Sequence, residues 1–331
     1  MEKKILETIK KYNLIEDGEK VVIGVSGGPD SITLLDALLK IKNKGIIKFD
    51  VLVCHVNHLI REEAIDDENY VKDYCKKNNI ECFIKRADVE KISEKEKKGT
   101  EETGRKIRYE FFNEILKKTN SNKIATAHNK NDNAETVLMN IIRGSGTSGL
   151  KGIEAKSRNL IRPLIEIERT DIENYCRKNN LSPRIDKTNF ENVYTRNKIR
   201  NMLIPYIEEN FNPNIIETIN RLSDLSKEEN NYLENKTKEE YEGLLLEKAK
   251  EYIILDLKGF NLLETVIKNR IVLYTINELF GTKKGIEKKH IEDIIKLCKN
   301  NIGNKYLIPN KKIKILIKNK KIFFIANEVL P

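Results

Sequence analysis

Residues 21–31 read Val-Val-Ile-Gly-Val-Ser-Gly-Gly-Pro-Asp-Ser, and this stretch decides the fold of the first part of the chain. An apolar run ends at a glycine-rich loop, and apolar residues with helical spacing follow over 32–39. This order predicts a buried strand, a tight loop and a helix. Gly27 and Gly28 let the backbone approach a ligand closely, and Pro29 suits the first turn of a helix. The free amides and positive end of that helix then form an anion site.

The acidic residue of this loop, Asp30, is poorly suited to contact a phosphate directly, because like charges repel. A Mg²⁺ ion between Asp30 and the phosphates would explain its position. Ser26 and Ser31 add hydroxyl donors to the same loop. A Walker A loop is excluded, since no glycine in the chain is followed by lysine.

The composition indicates a two-domain protein with a basic surface. The chain has 331 residues and a net charge of +10, from 61 Lys and Arg against 51 Asp and Glu. That surplus fits a polyanionic partner, although a biased base composition of the genome would give it too. Five cysteines without a Cys-x-x-Cys pair indicate neither a disulfide framework nor a zinc ribbon. Free thiols, an N-terminus without a signal-peptide core and short apolar runs predict a cytoplasmic protein without membrane contact.

Strands and helices alternate along the first part of the chain. Further strands are expected at 49–57, 81–84 and 123–127, with helices at 62–79, 105–118 and 132–143, and a mobile loop at 90–104. We therefore predict an α/β fold with a doubly wound parallel sheet in a Rossmann-like domain over residues 1–214. A smaller helical or α+β domain is expected over 215–331, with charged helices over 215–253 and a basic C-terminal hairpin that touches RNA.

Ligands of such sheets bind at the carboxyl ends of the strands. Three loops should therefore meet there, namely 26–31, 55–58 and 128–136. His55 is expected to line a nucleotide pocket or simply to end its strand. A metal pair of His55 and His58 is disfavoured because no third ligand is near in sequence.

Asp132 and Glu135 lie three residues apart at a helix start. They are typical of a capping box with Asp132 as the N-cap and Glu135 at N3. Because both side chains lie on the same side of the helix, they can also bind a cation or an amine. Arg196 and Arg200 share a helix face and can clamp a phosphate, unless they only form a solvated basic face. The Gly-x-Gly-x-x-Gly at 144–149 follows a helix rather than a strand, so we interpret it as a flap or a helix terminator.

Several of these motifs together resemble a known family. SGGPDS at 26–31 is similar to the pyrophosphate loop of the PP-loop ATP pyrophosphatases. The ordered set over about residues 20–210 resembles tRNA(Ile)-lysidine synthetase. That set is completed by HVNHLIR at 55–61, HNKNDNAET at 128–136, RGSGTSGL at 143–150, RPL at 162–164, DKTN at 186–189 and RNKIR at 196–200. It departs from the family at Asn131, where the family carries an aspartate, and in one extra residue before Arg61.

The resemblance implies a carbon–nitrogen ligase of tRNA processing that uses ATP and Mg²⁺. Its substrates would be free L-lysine and the wobble cytidine of a tRNA(Ile) with a CAU anticodon. The resemblance is also compatible with a homodimer. Adenylation of the cytidine would precede attack by the lysine ε-amine, which gives lysidine and changes codon reading from AUG to AUA. The candidate catalytic residues are Asp30, His128, Asp132, Glu135 and Arg196, with Asp30 as the Mg²⁺ ligand. The candidate nucleotide-binding residues are Ser26, Gly27, Gly28, Pro29, Asp30, Ser31 and His55.

Two alternatives stay open at this stage. Another PP-loop tRNA-modifying enzyme such as a thiolase would share the loop, although many thiolases use paired cysteines. A non-catalytic adenine-nucleotide-binding protein would share the sheet without needing the motifs at 128–136 and 196–200.

Overall fold

The computed structural model of the protein describes residues 1–60, 64–184, 194–282, 285–300, 305–310 and 313–326. The chain divides into two compact units, Met1–Ser226 and Lys227–Pro331. Two of the motif positions, Arg61 and the Asp-Lys-Thr-Asn at 186–189, lie outside the described residues.

The first unit contains a six-stranded sheet in the order β3-β2-β1-β4-β6-β5. Its elements are, in chain order, α1 Glu2–Lys11, β1 Glu19–Gly24, α2 Pro29–Asn43, β2 Phe49–Asn57, α3 Ala64–Lys77, β3 Cys82–Arg86, α4 Val89–Glu96, α5 Thr100–Lys118, β4 Lys123–Ala125, α6 Lys130–Ile142, α7 Thr147–Leu150, β5 Lys156–Ser157, β6 Leu160–Ile161 and α8 Arg169–Lys178. Strand pairs are parallel except β5 with β6. The predicted parallel α/β sheet is confirmed, with one short antiparallel strand at its edge.

Strand β1 lies at the centre of this sheet because it is apolar on both faces. Val21 and Ile23 pack into a cluster with α1, α2 and α8, whereas Val22 packs into a second cluster with α5. All three side chains are fully buried. The strand order turns back between β1 and β4, which pair directly. Such a reversal leaves a crevice at the carboxyl ends of the two strands, so the fold sets the position of the site.

The described residues of the first unit after 194 are mostly helical. Helix α9 covers Thr195–Lys198, a π-helical turn Ile199–Leu203 continues it, α10 covers Ile204–Asn210 and α11 covers Ile215–Leu244. Ile199 and Ile204 pack with Ile216 and Ile219 in one cluster. This packing keeps the first turns of α11 with the first unit, so the two units part at Ser226 rather than at the expected residue 214.

The second unit carries a five-stranded antiparallel sheet in the order β7-β8-β11-β10-β9. Its elements are β7 Leu245–Lys248, β8 Tyr252–Asp256, α12 Leu257–Leu262, α13 Thr265–Phe280, α14 Lys288–Asn300, β9 Tyr306–Asn310, β10 Ile313–Lys318 and β11 Lys321–Ala326. The expected C-terminal hairpin is confirmed, with Lys318 paired to Lys321 across its turn.

Two local expectations were wrong. The segment 90–104, expected as a mobile loop, lies in α4 and the start of α5, and the Asp88 side chain caps α4 by accepting from the Lys91 amide. The expected helix over 215–253 ends at Leu244, and two strands follow. In the part of the chain that the structure describes, no helix is long and apolar enough to cross a membrane.

Candidate active site

The loop between β1 and α2 has the backbone that its glycines predict. Gly27 has a φ of +92°, which side-chain-bearing residues rarely adopt. The Ser31 hydroxyl accepts from the Ser26 amide at 3.1 Å and donates to the Gly28 carbonyl at 3.0 Å, which closes the loop. No side chain caps the first turn of α2, whose first residue is Pro29. The loop therefore presents a helix N-terminus without an internal acceptor, as an anion site requires.

His55 supports this loop from β2. Its Nδ1 lies 2.8 Å from the Val25 carbonyl oxygen, so the neutral ring donates there and fixes the residue that precedes Ser26. The ring is 3% exposed, and burial lowers its pKa. The Nε2 atom has no hydrogen-bond partner among the described residues. His55 thus holds the loop in place and lines the cavity in front of it.

Asp30 projects from α2 toward the end of β4. Its Oδ1 accepts from Asn129 Nδ2 at 3.0 Å. Burial, followed by the charge of Asp132, raises the pKa of Asp30 to about 6. A bound cation would stabilise the ionised form of a carboxyl in such surroundings. Mg²⁺ is commonly held by one or two carboxylates together with substrate phosphates. Asp30 therefore fits Mg²⁺ as a single carboxylate ligand, although no group of three or more acidic, His or Cys side chains in the described part could hold a metal by itself.

Helix α6 begins with a capping box that is displaced from its expected position. Asn129 is the N-cap and Asp132 is N3, with reciprocal side-chain to backbone bonds of 3.0 Å each. The predicted capping box, with Asp132 as the N-cap and Glu135 at N3, is wrong because Asn129 supplies an equally good cap one turn earlier. Asn131, at the position of the family aspartate, accepts from the Arg169 amide at 3.0 Å. The amide oxygen of Asn131 accepts this hydrogen bond without carrying a negative charge.

Glu135 is the centre of an ion-pair cluster. Its side chain is 1% exposed and accepts from Arg196 Nε at 2.8 Å and from Arg200 Nε at 2.6 Å. Arg200 Nη2 also donates to Asp132 Oδ1 at 3.0 Å, and Arg169 Nη2 lies 3.5 Å from the same oxygen. Glu135 and Arg200 thus neutralise each other within the protein. Arg196 and Arg200 therefore do not form a solvated basic face. Because both pair with Glu135, neither has all of its guanidinium N–H donors available for a phosphate.

His128 follows β4 and carries no charge at neutral pH. Its Nδ1 lies 3.0 Å from Thr126 Oγ1. Burial, together with the charges of nearby arginines led by Arg162 and Arg196, lowers the pKa of His128 to about 3. Such a ring can donate or accept a hydrogen bond, but it is a weak proton acceptor.

These groups meet around one cavity of about 560 Å³ at the carboxyl ends of β1, β2 and β4. Most of the candidate residues line it: Ser26, Gly28, Pro29, Asp30, Ser31, His55, His128, Asp132 and Arg196. Gly27 and Glu135 do not line it, since Gly27 turns the loop and Glu135 lies behind the arginines. The predicted convergence of three loops is therefore what the structure shows.

Sequence reasoning missed several residues of this site. Asn129 holds Asp30, and Arg169 reaches Asp132 from the start of α8. The Arg184 amide donates to the Gly27 carbonyl at 3.0 Å, and its side chain pairs with Asp66. Only Asn129 carried a sequence signal, as a capping residue before the helix. The two arginines lie far from their partners in sequence, so no local pattern could reveal them.

A parallel sheet whose first strand ends in this Ser-Gly-Gly-Pro-Asp-Ser loop, with the cavity at the strand reversal, defines a PP-loop protein. The family model described as the PP-loop domain matches residues 1–207. A tRNA(Ile)-lysidine synthase from Clostridium acetobutylicum is 46% identical over 310 residues, which cover 92% of this chain and 66% of that protein. A tRNA(Ile)-lysidine synthase from Clostridioides difficile is 43% identical over 329 residues, which cover 99% of this chain and 71% of that protein. Within the PP-loop proteins, the chain belongs to the tRNA(Ile)-lysidine synthase family, and it spans about two thirds of the length of these relatives.

The fold is also similar to a solved structure. The U34-tRNA thiolase NcsA from Methanococcus maripaludis, solved with its [4Fe-4S] cluster, superposes with a TM-score of 0.56 at 20% identity. The match covers 68% of this chain and 79% of the thiolase. At this identity the likeness concerns the fold alone.

Proposed function

We propose that the chain is a carbon–nitrogen ligase that joins free L-lysine to C2 of the wobble cytidine in a tRNA(Ile) with a CAU anticodon. ATP would be consumed, and lysidine, AMP and pyrophosphate would be formed. The observation that carries this proposal is the cavity itself. One wall is the uncapped N-terminus of α2, which suits pyrophosphate and carries the Asp30 carboxylate, and α6 adds the carboxylate of Asp132.

The reaction balances in two steps. The C2 carbonyl oxygen of the cytidine attacks the α-phosphorus of ATP, and pyrophosphate leaves with the electrons of the broken P–O bond. The lysine ε-amine then attacks C2, loses a proton, and expels AMP. The amides at the start of α2 suit the leaving pyrophosphate, because negative charge builds up there. Mg²⁺ held by Asp30 would supply charge neutralisation on the phosphates.

The second step needs a carboxylate in the cavity, because an ε-amine with an ordinary pKa of about 10.4 is almost wholly protonated at neutral pH. Asp132 lines the cavity and its side chain is 13% exposed, although its Oδ1 faces Arg200 and its Oδ2 accepts from the Asn129 amide. Glu135 is 1% exposed, does not line the cavity, and binds arginines with both oxygens. We therefore assign the ammonium contact to Asp132 and treat Glu135 as a positioning residue. His128 is better suited to a neutral hydrogen bond than to removal of the proton, since its pKa is held at about 3.

The second unit is proposed to contact the tRNA. No acidic residue occurs between Asp293 and Glu328, a stretch with nine lysines. Lys314 and Lys318 lie on β10 on the face opposite to the buried Ile315, and Lys314 sits over the exposed ring of Tyr306 at 4.7 Å. Lysines interleaved with an exposed aromatic ring on a sheet are typical of an RNA-binding surface.

Transfer of radiolabelled lysine tests the proposal. The full chain is incubated with ATP, Mg²⁺, labelled L-lysine and a tRNA(Ile) transcript with a CAU anticodon. We expect acid-precipitable label that requires ATP, and none with a transcript whose wobble cytidine is replaced by uridine. ATP cleavage without label in the RNA would contradict the proposal and favour another PP-loop modification.

The cysteines of the chain do not support a thiolase. Cys54 borders the cavity, but its side chain is fully buried, and burial raises the pKa of its thiol to about 12, so it is poorly suited to sulfur transfer. Cys75, Cys176 and Cys298 are also buried, and Cys82 is half-buried.

A further inference from the structure

Helix α6 carries its two acidic site residues on one face and two buried or half-buried asparagines on another. Asp132 and Glu135 pair with the arginines of the site. Asn133 and Asn140 lie seven positions apart, which is about two helical turns, and so share a different face. Asn133 is fully buried and does not line the cavity. Its contacts therefore act on α6 from the side away from the substrates.

Both polar atoms of the Asn133 side-chain amide make hydrogen bonds. Its Oδ1 accepts from the Ile153 amide at 2.6 Å, and its Nδ2 donates to Asn220 Oδ1 at 2.8 Å and to Ser223 Oγ at 3.3 Å. Asn220 and Ser223 belong to the first turns of α11, and both are buried. A buried amide bonded in this way is held in one orientation, because any other orientation leaves buried polar atoms unpaired.

The glycine-rich segment after α6 is shaped for this contact. Gly152 has a φ of +60°, and a Cβ atom at that position would lie 2.2 Å from Asn133 Oδ1. Two turns further along the same face of α6, Asn140 Nδ2 donates to the Gly149 carbonyl at 2.8 Å. The chain that follows the Gly-x-Gly-x-x-Gly motif therefore packs along α6, and a side chain at Gly152 would push it away from Asn133.

The first residue of α6 is tied to α11 as well. The Lys130 carbonyl accepts from Asn220 Nδ2 at 3.1 Å, and the Lys130 ammonium group pairs with Glu217. Asp132 lies between Lys130 and Asn133 in the first turn of the helix. The position of the Asp132 carboxylate in the cavity therefore depends on two anchors that both lead to α11.

We propose that Asn133 is a positioning residue that holds Asp132 where it meets the ε-ammonium group of lysine. The bonds of Asn133 to α11 do this by setting the first turn of α6. This inference rests on the proposed function, which assigns the ammonium contact to Asp132. Among the described residues, these bonds join α6, α11 and the segment after α7, and the loop between β1 and α2 takes no part in them. Loss of Asn133 should therefore weaken lysine binding more than nucleotide binding, because a displacement of about 1 Å is enough to spoil a directed contact.

Equilibrium binding to the full chain separates the two ligands without requiring turnover. The probes are L-lysine and α,β-methylene ATP with Mg²⁺, each titrated by calorimetry. Asn133→Ala removes all three bonds of the amide. Ser223→Ala is the milder variant, because it removes only the hydroxyl that binds Asn133 and the Lys151 carbonyl. Asp132→Asn is the reference for a lost ammonium contact.

Asn179→Ala is the matched control for loss of a hydrogen-bonded asparagine. Its side chain accepts from Lys40 Nζ at 2.6 Å and donates to the Tyr175 carbonyl at 2.9 Å, at the C-terminal end of α8. Thermal unfolding of each variant measures the stability that is lost. A purely structural role of Asn133 would lower the unfolding temperature, as in the control, without separating lysine from the nucleotide.

We expect Asn133→Ala to weaken lysine binding by about tenfold and Ser223→Ala by about threefold, with nucleotide binding within about twofold of wild type and the control unchanged for both ligands. Lysine binding within about twofold of wild type in every variant of this network that folds, or an equal loss for both ligands, overturns the proposal. Unchanged lysine binding in Asp132→Asn overturns it too, because Asp132 would then not hold the amine. A wild-type chain that binds lysine but forms no lysidine would instead defeat the proposed function and leave the positioning role standing.

Discussion

Arg200 binds Glu135 with two nitrogens, Nε at 2.6 Å from Oε1 and Nη2 at 2.8 Å from Oε2. The two residues lie 65 positions apart in sequence. This forked pair joins α6 to the segment that contains the π-helical turn, and Arg196 adds a third bond to the same carboxylate. The cluster therefore holds one wall of the cavity in place.

The ion pair of Glu135 with Arg200 should contribute strongly to the free energy of unfolding. Glu135→Gln leaves two guanidinium groups beside a neutral amide, and removal of one partner of a buried pair typically costs about 3–5 kcal/mol. We expect a loss of about 2–4 kcal/mol in the free energy of unfolding, because the arginines keep some solvent contact. Urea denaturation measures it, with the exposed Glu94→Gln as control. A loss below about 0.5 kcal/mol, within the range of surface substitutions, would show that the pair is not structural.

Asp30 should make stability depend on pH in the opposite sense to most acidic residues. Its folded pKa of about 6 lies above its ordinary value of 3.8, so its favourable contribution is present below pH 4 and is lost as the pH rises through 6. Asp30→Asn should therefore stabilise the metal-free protein by about 1–2 kcal/mol at pH 7.5 and have little effect at pH 4. Thermal unfolding in EDTA at the two pH values tests this. A variant less stable than wild type at pH 7.5 would contradict the assignment.

The same variant should lose adenylation while it keeps RNA binding, because Mg²⁺ and not RNA requires that carboxylate. Pyrophosphate release in the presence of unmodified tRNA is the measurement. Near-normal release by Asp30→Asn would rule out the metal role.

His128 should stay uncharged well below its ordinary pKa. Burial and the arginines around it hold the pKa at about 3, so protonation of His128 costs folded stability as the pH falls from 6.5 toward that value. In NMR titration of the imidazole signals, the His128 resonance, assigned with His128→Gln, should not shift between pH 8 and about 5. A midpoint near pH 6.5 would mean that the ring is open to solvent and free of the arginine charges.

Asn131 should tolerate the aspartate that the family carries. Its side-chain oxygen accepts from the Arg169 amide, and aspartate keeps that acceptor. Asn131→Asp should therefore change the free energy of unfolding by less than about 0.5 kcal/mol, while Asn131→Ala should lose about 1 kcal/mol. Equal losses in both variants would show that the amide nitrogen matters instead.

The sequence was most informative where the apolar pattern and the local residue preferences predict the same structure. The apolar run 21–25 and the glycine loop after it could only form a buried strand and a turn, and the carboxyl-end rule then brought Ser26, His55 and His128 together. The strands after Leu244 were missed because Leu244-Leu245-Leu246 continues a helical apolar pattern. The partners of Glu135 were missed because ion pairs across 61 and 65 residues leave no periodic signal. The low pKa of His128 depends on charges from four separate arginines, which only the fold brings together.

Direct detection of the product nucleoside tests whether the chain forms lysidine. A tRNA(Ile) transcript with a CAU anticodon is incubated with the full chain, ATP, Mg²⁺ and L-lysine, digested to nucleosides and analysed by mass spectrometry. We expect the wobble cytidine to gain the mass of lysine less one water. We also expect Asp132→Asn to reduce this product while pyrophosphate release continues. Unmodified cytidine after the wild-type chain has consumed ATP would show that the chain does not form lysidine.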